Sequence, residues 1–186
     1  MRIVMLGPPA SGKGTQGIRL AQTFGVPHIS SGQLLRRSMD EGDSLGIGAI
    51  VARGELVPDE LVEHVVLPAL GGGFVLDGYP RTQAQAARLD AELDRRGLPV
   101  EAAVEIDVYA EVLAERMALR AQIESRPDDR PDAFARRLED YRAEAGALRR
   151  HYEGRFVTVD GNATPDEVQD RLVAALRDAG VRELRA

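Results

Sequence analysis

The feature that most constrains the fold is a short apolar run that passes directly into a glycine-rich loop. Residues 3–6 read Ile-Val-Met-Leu, and residues 7–15 read Gly-Pro-Pro-Ala-Ser-Gly-Lys-Gly-Thr. When a buried strand leads through such a loop into a helix, backbone N–H groups point at an anion and the helix N-terminus adds partial positive charge. The spacing Gly-x4-Gly-Lys therefore predicts a phosphate-binding loop between the first strand and the first helix.

Two residues of this loop stand out. Lys13 is the only lysine among the 24 lysines and arginines of the chain. A lone lysine can fall anywhere by chance, but its place in the loop indicates that a compact ammonium is needed there rather than a forked guanidinium. Ala10 stands where many such loops have glycine. If that position has a positive φ, alanine costs on the order of 1 kcal/mol.

Short apolar runs rich in β-branched residues alternate with helical patterns along the rest of the chain. The predicted strands are residues 3–6, 74–76, 104–106 and 156–159, each expected to be buried on both faces, and, from a weaker pattern, residues 27–29. Strands that alternate with helices form parallel sheets with right-handed crossovers. We therefore predict an α/β fold of the P-loop type with three layers, in which helices cover both faces of a central five-stranded parallel sheet.

Helix signals are clearest near the C-terminus. Apolar residues step by four and three from Phe134 to Tyr152, which is typical of one face of an amphipathic helix. Thr164 precedes Pro165, and two acidic residues follow. This order predicts a helix that begins with Thr164 as its N-cap.

Two segments do not fit a plain alternation of strands and helices. Residues 30–59 are helical in pattern without a strand, and residues 120–131 are polar. We expect both to be excursions over the C-terminal edge of the sheet, where open α/β folds bind their ligands. The length of 186 residues suits one domain, residues 1–186, that contains a core and these two excursions.

Composition excludes several classes of protein. A net charge of −6 argues against a general nucleic-acid binder, which usually has a basic face. The chain has no cysteine, so it cannot form disulfides or thiolate metal sites, and a reducing cytoplasm is the simplest setting. We also expect no secretory signal and no membrane segment, because no apolar run approaches about 20 residues.

A second candidate site lies in the run Phe-Val-Leu-Asp-Gly-Tyr-Pro-Arg, residues 74–81. Asp77 ends a predicted strand, and an acid beside a phosphate loop is well placed to hold Mg²⁺ through water. Arg81 would extend over the same edge of the sheet. The alternative is an ordinary Asp-Gly turn with a solvated arginine.

Five motifs together resemble the adenylate kinase family. GPPASGKGTQ, ISSGQLLRR, GELVP, FVLDGYPRTQAQ and SRPDDRPDAFARRLEDYR occur in the order and spacing of that family, from residue 3 to about residue 176. The segment from Arg120 to Arg137 resembles the family's short lid, without the cysteines that bind zinc in some members. The resemblance implies a phosphotransferase that converts ATP and AMP into two ADP with Mg²⁺ and no zinc. It would balance adenine nucleotides as a monomer.

The resemblance also implies roles for individual residues. Those matched to ATP binding are Gly7, Ala10, Ser11, Gly12, Lys13, Gly14, Thr15, Arg116 and Arg120. Those matched to AMP binding are Ser31, Arg36, Glu55, Leu56, Val57, Gly78, Arg81, Gln85, Arg126 and Arg137. The catalytic set would be Lys13, Arg81, Arg120, Arg126 and Arg137. Asp77 matches the acid that holds Mg²⁺ through water, and Asp128 and Asp129 match the paired acids of the lid.

Two alternatives stay open at this point. A UMP/CMP kinase of the same fold is one, although Ser31 and Gln85 favour AMP by analogy with the family. The other is a nucleotide-binding module with impaired catalysis. It rests on Ala10 and on Gln33, which stands where the family usually has an acid. No general base is evident, and the three histidines are scattered and form no ligand pattern.

Overall fold

The computed structural model describes residues 1–52, 57–124 and 131–181. Its five strands are β1 (Arg2–Leu6), β2 (His28–Ser30), β3 (Phe74–Asp77), β4 (Ala102–Asp107) and β5 (Phe156–Asp160). Its helices are α1 (Lys13–Phe24), α2 (Ser31–Asp40), α3 (Ile47–Ala52), α4 (Asp59–Val66), α5 (Gln83–Arg95), α6 (Ala110–Glu124), α7 (Pro131–His151) and α8 (Pro165–Asp178), with a 3₁₀ turn at Leu67–Ala69.

All five strands form one parallel sheet in the order β2-β3-β1-β4-β5. Each predicted strand is present, including the weak candidate at residues 27–29, and the predicted α/β fold is confirmed. The glycine loop follows β1, the central strand. Since all strands are parallel, the residues that follow β1, β2, β3 and β4 lie along one edge of the sheet.

The core lies on both faces of the sheet. Ile3 and Met5 pack in one cluster with residues of α1 and α8, whereas Val4 and Leu6 pack in a second cluster with residues of α4, α5 and α7. Successive residues of a strand point to opposite faces. The two clusters are therefore the two outer interfaces of a three-layer fold, and β1 is buried on both sides.

The expectation that residues 156–159 are buried on both faces was wrong. In β5 only Val159 is buried, Phe156 and Val157 are half-buried, and Thr158 is exposed. The reason is position in the sheet: β5 is the last strand and pairs only with β4. Apolar composition predicted the strand correctly, but not that it lies at an edge.

The helical character predicted for residues 30–59 is confirmed in the part that the structure describes, residues 30–52 and 57–59. Helices α2 and α3 and the first residue of α4 lie there, and the segment leaves the sheet at the end of β2. Residues 125–130 of the second excursion lie outside the described part of the chain, so the division into a core and two excursions stays a prediction. In the described ranges, no helix combines the length and the apolar character needed to cross a bilayer.

Helix α8 begins as its sequence predicts. The hydroxyl of Thr164 accepts a hydrogen bond from the Glu167 N–H at 3.4 Å, and the Glu167 carboxylate accepts one from the Thr164 N–H at 2.9 Å. This reciprocal capping box satisfies two backbone donors that a helix start leaves without partners. Leu172 and Leu176 of this helix are fully buried, so its stability bears directly on the core.

We expect Thr164→Ala to destabilise the protein by about 1 kcal/mol, because the capping hydroxyl is lost at an otherwise unchanged helix start. Urea unfolding followed by circular dichroism would measure the change in free energy. Thr164→Ser keeps the hydroxyl and is the matched control, so it should stay close to the parent. Equal destabilisation by both substitutions would show that the methyl group, and not the cap, matters.

Candidate active site

The loop between β1 and α1 has the backbone of an anion cradle. Gly7 and Gly12 have φ angles of 136° and 95°, a region that disfavours side chains. A Cβ on Gly7 would lie 2.8 Å from the Ile106 carbonyl oxygen, so the loop packs closely against the end of β4. Gly12 is the N-cap of α1. The helix N-terminus therefore opens directly onto the loop, as a phosphate site requires.

Lys13 lies within this loop. Its ammonium donates hydrogen bonds to the carbonyl oxygens of Gly7 at 2.7 Å and Pro8 at 2.6 Å, with the buried Ser11 hydroxyl 3.5 Å away. Three ammonium hydrogens can be distributed over such closely spaced acceptors. The positive charge of Lys13 is thus held against the backbone of the glycine loop.

Asp77 lies beside the start of α1. Its Oδ2 atom is 3.5 Å from the position that a Cβ on Gly14 would occupy, and its strand residue pairs in register with Met5. One carboxylate next to a phosphate cradle fits Mg²⁺, which protein sites usually bind through one or two carboxylates together with substrate phosphates and water. Among the residues described, no three acidic or histidine side chains form a cluster that could hold a metal by itself.

A second group of predicted residues meets where β2 and β3 end. A Cβ on Gly78 would lie 2.5 Å from the Ser31 hydroxyl and 3.8 Å from an Arg81 guanidinium nitrogen. Gly78 has a φ of 82°, and its carbonyl oxygen accepts a hydrogen bond from Arg81 Nε at 2.8 Å. Arg36 is exposed on α2, with one guanidinium nitrogen 3.5 Å from a Cβ placed on Gly32. The predicted AMP residues Ser31, Gly78 and Arg81 are thus brought together.

Gln85 joins this group through its amide. Its Oε1 accepts a hydrogen bond from the Arg81 N–H at 2.7 Å, and its Nε2 donates one to Asp59 Oδ1 at 2.6 Å. The neighbouring Tyr79 hydroxyl donates to the Gln85 carbonyl oxygen at 3.2 Å. Burial, reinforced by Glu63, raises the pKa of Tyr79 above its usual value, so this hydroxyl stays protonated and remains a donor at neutral pH.

Arg116 lies on α6, which follows β4, whereas Asp77 ends β3. These two strands flank β1, so the two residues lie on opposite sides of the glycine loop. The Arg116 guanidinium donates to the Ser11 carbonyl oxygen at 3.3 Å and to the Gly161 carbonyl oxygen at 2.8 Å. It therefore connects the loop after β1 with the loop after β5. The predicted ATP residues that the structure brings together are Gly7, Ala10, Ser11, Gly12, Lys13, Gly14, Thr15 and Arg116.

The sequence comparisons agree with this geometry. The family model described as "Adenylate kinase" matches residues 5–157. The chain belongs to the adenylate kinase family. An adenylate kinase of Xanthomonas campestris pv. campestris (strain 8004) is 46% identical over 185 residues, which cover 95% of this chain and 99% of the relative. An adenylate kinase of Mycobacterium tuberculosis (strain ATCC 25177 / H37Ra) is 42% identical over 183 residues, with the same coverage. Nothing in these comparisons favours the UMP/CMP kinase alternative.

Several residues that the adenylate kinase resemblance implied cannot be placed. Glu55, Leu56, Arg126, Asp128 and Asp129 lie outside the described residues. The backbone at Arg120 is part of α6, and Arg137 is half-buried on α7. Val57 is half-buried before α4. The roles proposed for these residues stay predictions.

Gly161 and Glu105 also shape the site, although neither was predicted from the sequence to do so. A Cβ on Gly161 would lie 2.5 Å from an Ile106 side-chain carbon, so only glycine lets the loop after β5 reach Arg116. Glu105 is 2% exposed and accepts hydrogen bonds from the Tyr141 hydroxyl and from Arg149 at 2.8 and 3.0 Å. The sequence did carry a signal for Glu105, which is an acidic residue inside the apolar run of β4. A carboxylate in a buried strand needs hydrogen-bond partners, so partners from another element could have been expected.

His28 lies in β2, and its Nε2 is buried without a hydrogen-bond partner among the described residues. Its buried Nε2 lies against α1, 2.9 Å from the position of a Cβ on Gly17. Burial lowers the pKa of His28, and the charge of Asp77 opposes that shift without reversing it. The imidazole is therefore neutral at neutral pH.

The doubt about Ala10 is confirmed at the level of the backbone. Its φ is 65°, and in the described part of the chain the other non-glycine residue with a positive φ is Asp43, at 46°. The left-handed conformation costs an L-residue roughly 1–2 kcal/mol, which alanine cannot recover through a side-chain hydrogen bond.

We expect Ala10→Gly to stabilise the protein by roughly 0.5 kcal/mol, because relief of the left-handed strain exceeds the extra unfolded-state entropy of glycine. Thermal or urea unfolding measures the change. Ala21→Gly on the same side of the sheet, inside helix α1, is the matched control and should destabilise instead. A loss of stability in both variants would mean that Ala10 contributes more by packing than it loses by strain.

Proposed function

We propose that this chain catalyses the reversible Mg²⁺-dependent transfer of the γ-phosphoryl group of ATP to AMP, which yields two ADP. The observation that carries the proposal is the meeting of two sets of groups along one sheet edge. The Lys13 ammonium and the glycine loop follow β1, while Ser31 and Arg81 follow the neighbouring strands β2 and β3. One edge thus offers a phosphate cradle and, beside it, an arginine for a second phosphate.

In the proposed reaction, the bond between the γ-phosphorus and the bridging oxygen of ATP breaks, and a bond to an AMP phosphate oxygen forms. The acceptor oxygen is already ionised at neutral pH, so no general base is needed. Lys13 and the loop N–H groups hold the ATP phosphates, and Arg116 lies where it can contact the ATP base. Arg36 and Arg81 hold the AMP phosphate. Charge spread over the transferred group makes such fixed donors the main source of rate.

Asp77 would hold Mg²⁺ through water, and the metal would neutralise charge on the phosphate oxygens. Adenylate kinases generally use Mg²⁺ with ATP, and a carboxylate at the end of β3 beside α1 supports the same arrangement here. Gln33 is exposed on α2 and offers a neutral amide where the family usually has an acid. We therefore assign the acidic contribution to Asp77 alone among the described residues.

The two excursions are proposed to close over the bound nucleotides. Residues 30–59 would cover AMP and residues 120–131, with Arg120, Arg126 and Arg137, would cover the transferred phosphoryl group. Closure would exclude water, which otherwise competes as the phosphoryl acceptor. We further propose that the enzyme acts as a monomer in the cytoplasm, consistent with its lack of cysteine.

The first experiment is an acceptor screen. The protein is mixed with ATP and Mg²⁺, AMP, CMP, UMP or GMP is added separately, and nucleoside diphosphates are quantified over minutes. We expect ADP formation that is selective for AMP and absent in Lys13→Ala. Product with CMP or UMP instead would assign the chain to pyrimidine substrates, and no product in protein that still binds ATP would favour a binding module.

We expect Lys13→Arg to lower turnover on the order of 10²-fold although the charge is kept, because the guanidinium is too large for acceptors only 2.6 and 2.7 Å from the ammonium. Steady-state kinetics with ATP and AMP measure the effect. Arg19→Lys is the reverse exchange on the same helix, where the arginine pairs with Asp166 away from the loop, and should leave turnover unchanged. Near-parental turnover in Lys13→Arg would show that charge alone suffices.

A further inference from the structure

The side-chain amide of Gln85 can occupy only one of its two orientations. It is 6% exposed, and each end of the amide has a partner whose role is fixed. The Arg81 backbone N–H can only donate, and it lies 2.7 Å from Oε1; the Asp59 carboxylate can only accept, and it lies 2.6 Å from Nε2. If the amide rotated by 180°, two donors would face each other at Arg81 and two acceptors at Asp59.

Asp59 is itself held in place. It is the first residue of α4, and its second carboxylate oxygen accepts a hydrogen bond from Arg88 at 3.1 Å. The other end of the Arg88 guanidinium lies 3.2 Å from Glu63, one turn further along α4. Gln85 and Arg88 are one turn apart on α5, so the four side chains join the two helices. Asp59 therefore cannot follow Gln85 if the amide rotates.

The fixed amide leaves one N–H hydrogen and one oxygen lone pair side by side for a ligand. Adenine presents an acceptor, N1, next to a donor, the N6 amino group. Hypoxanthine and guanine present the opposite pair, an N1–H donor next to the O6 acceptor. When the ribose phosphate is held by arginines, the base cannot turn over to exchange these positions. One amide orientation then pairs with adenine, and the other pairs with a 6-oxopurine.

We propose that Asp59 is a positioning residue that sets the acceptor base of this enzyme by fixing the orientation of the Gln85 amide. The inference rests on the proposed function and on the role that the family resemblance implies for Gln85, which is contact with the base of AMP. Asp59 touches neither nucleotide in this account. It acts through Gln85. A base whose donor and acceptor do not match the fixed amide leaves buried polar groups without partners, and a site rejects close analogues most strongly in this way.

The test compares AMP with inosine monophosphate (IMP) as acceptors, with ATP as donor, in the parent and in Asp59→Asn. An asparagine has only one oxygen, and both Arg88 and Gln85 Nε2 need an acceptor there, so the side chain at position 59 no longer favours the Gln85 orientation that pairs with adenine. The Arg81 N–H still does, so the lock is weakened and not abolished. We expect the AMP:IMP ratio of kcat/KM to fall by about tenfold, through a higher KM for AMP and a lower KM for IMP, with little change in kcat.

Glu63→Gln is the matched control. It makes the same acid-to-amide change on the same helix and alters a contact of the same arginine, but the carboxylate of Glu63 contacts Arg88 and the Tyr79 hydroxyl rather than the Gln85 amide. Its AMP:IMP ratio should equal that of the parent. A double-mutant cycle adds a second check: in a Gln85→Met background, Asp59→Asn should leave the ratio unchanged, because the amide through which it acts is gone.

The inference is overturned if Asp59→Asn weakens AMP and IMP equally, if the ratio does not move, or if the shift persists in the Gln85→Met background. Should Asp59→Asn fail to fold, the exposed Arg88→Gln removes the partner that holds Asp59, and a smaller shift in the same direction is expected. If the parent transfers phosphate to neither nucleotide, the proposed function fails. The equilibrium affinities of these proteins for AMP and IMP then decide the inference separately.

Discussion

The parallel pairing of β1 with β3 on one side and β4 on the other is the constraint on which the rest of the site depends. Met5 is in register with Asp77 across one pair and with Val104 across the other. Because all strands run in one direction, the loop after β1, the acid at the end of β3 and the turn after β5 meet along a single edge. A site assembled in this way is built from the loops and helix starts that follow the strand ends.

Close backbone contact at this edge explains the glycines that matter. A Cβ placed on Gly7 would lie 2.8 Å from the Ile106 carbonyl oxygen, and a Cβ placed on Gly161 would lie 2.5 Å from an Ile106 side-chain carbon. The end of β4 is thus enclosed by two loops, and Arg116 joins those loops through their carbonyl oxygens. Any side chain at either glycine would displace the loop that holds Lys13 or the one that orients Arg116.

Carboxylates are also held by partners away from the sheet edge, between the sheet and the layer formed by α4, α5 and α7. Glu105 of β4 accepts hydrogen bonds from Tyr141 and Arg149 of α7, and Asp59 of α4 accepts hydrogen bonds from Gln85 and Arg88 of α5. The buried Glu105 carboxylate would be costly without partners, and the half-buried Asp59 is held in one orientation by its own. Each connects a helix to another element, so that the same contacts which remove the penalty also fix the position of residues near the site.

Local patterns allowed much of this to be predicted. The strand-loop-helix order around Lys13, the capping sequence at Thr164 and the positive φ suspected for Ala10 all depend on neighbouring residues, and all three are present. The burial expected for β5 was wrong, because apolar composition does not say which strand lies at an edge. The partners of Gln85 could not be predicted, because Asp59 is 26 residues distant in the chain.

The sequence by itself therefore determined the strands, the helix starts and the chemical character of the phosphate loop, since these follow from backbone sterics and periodicity over a few residues. Only the tertiary structure decided which strand ends are adjacent and which glycines allow two loops to meet. It also decided which end of the Gln85 amide faces Asp59. Those outcomes depend on contacts between residues far apart in the chain, and one sequence carries no local record of such contacts.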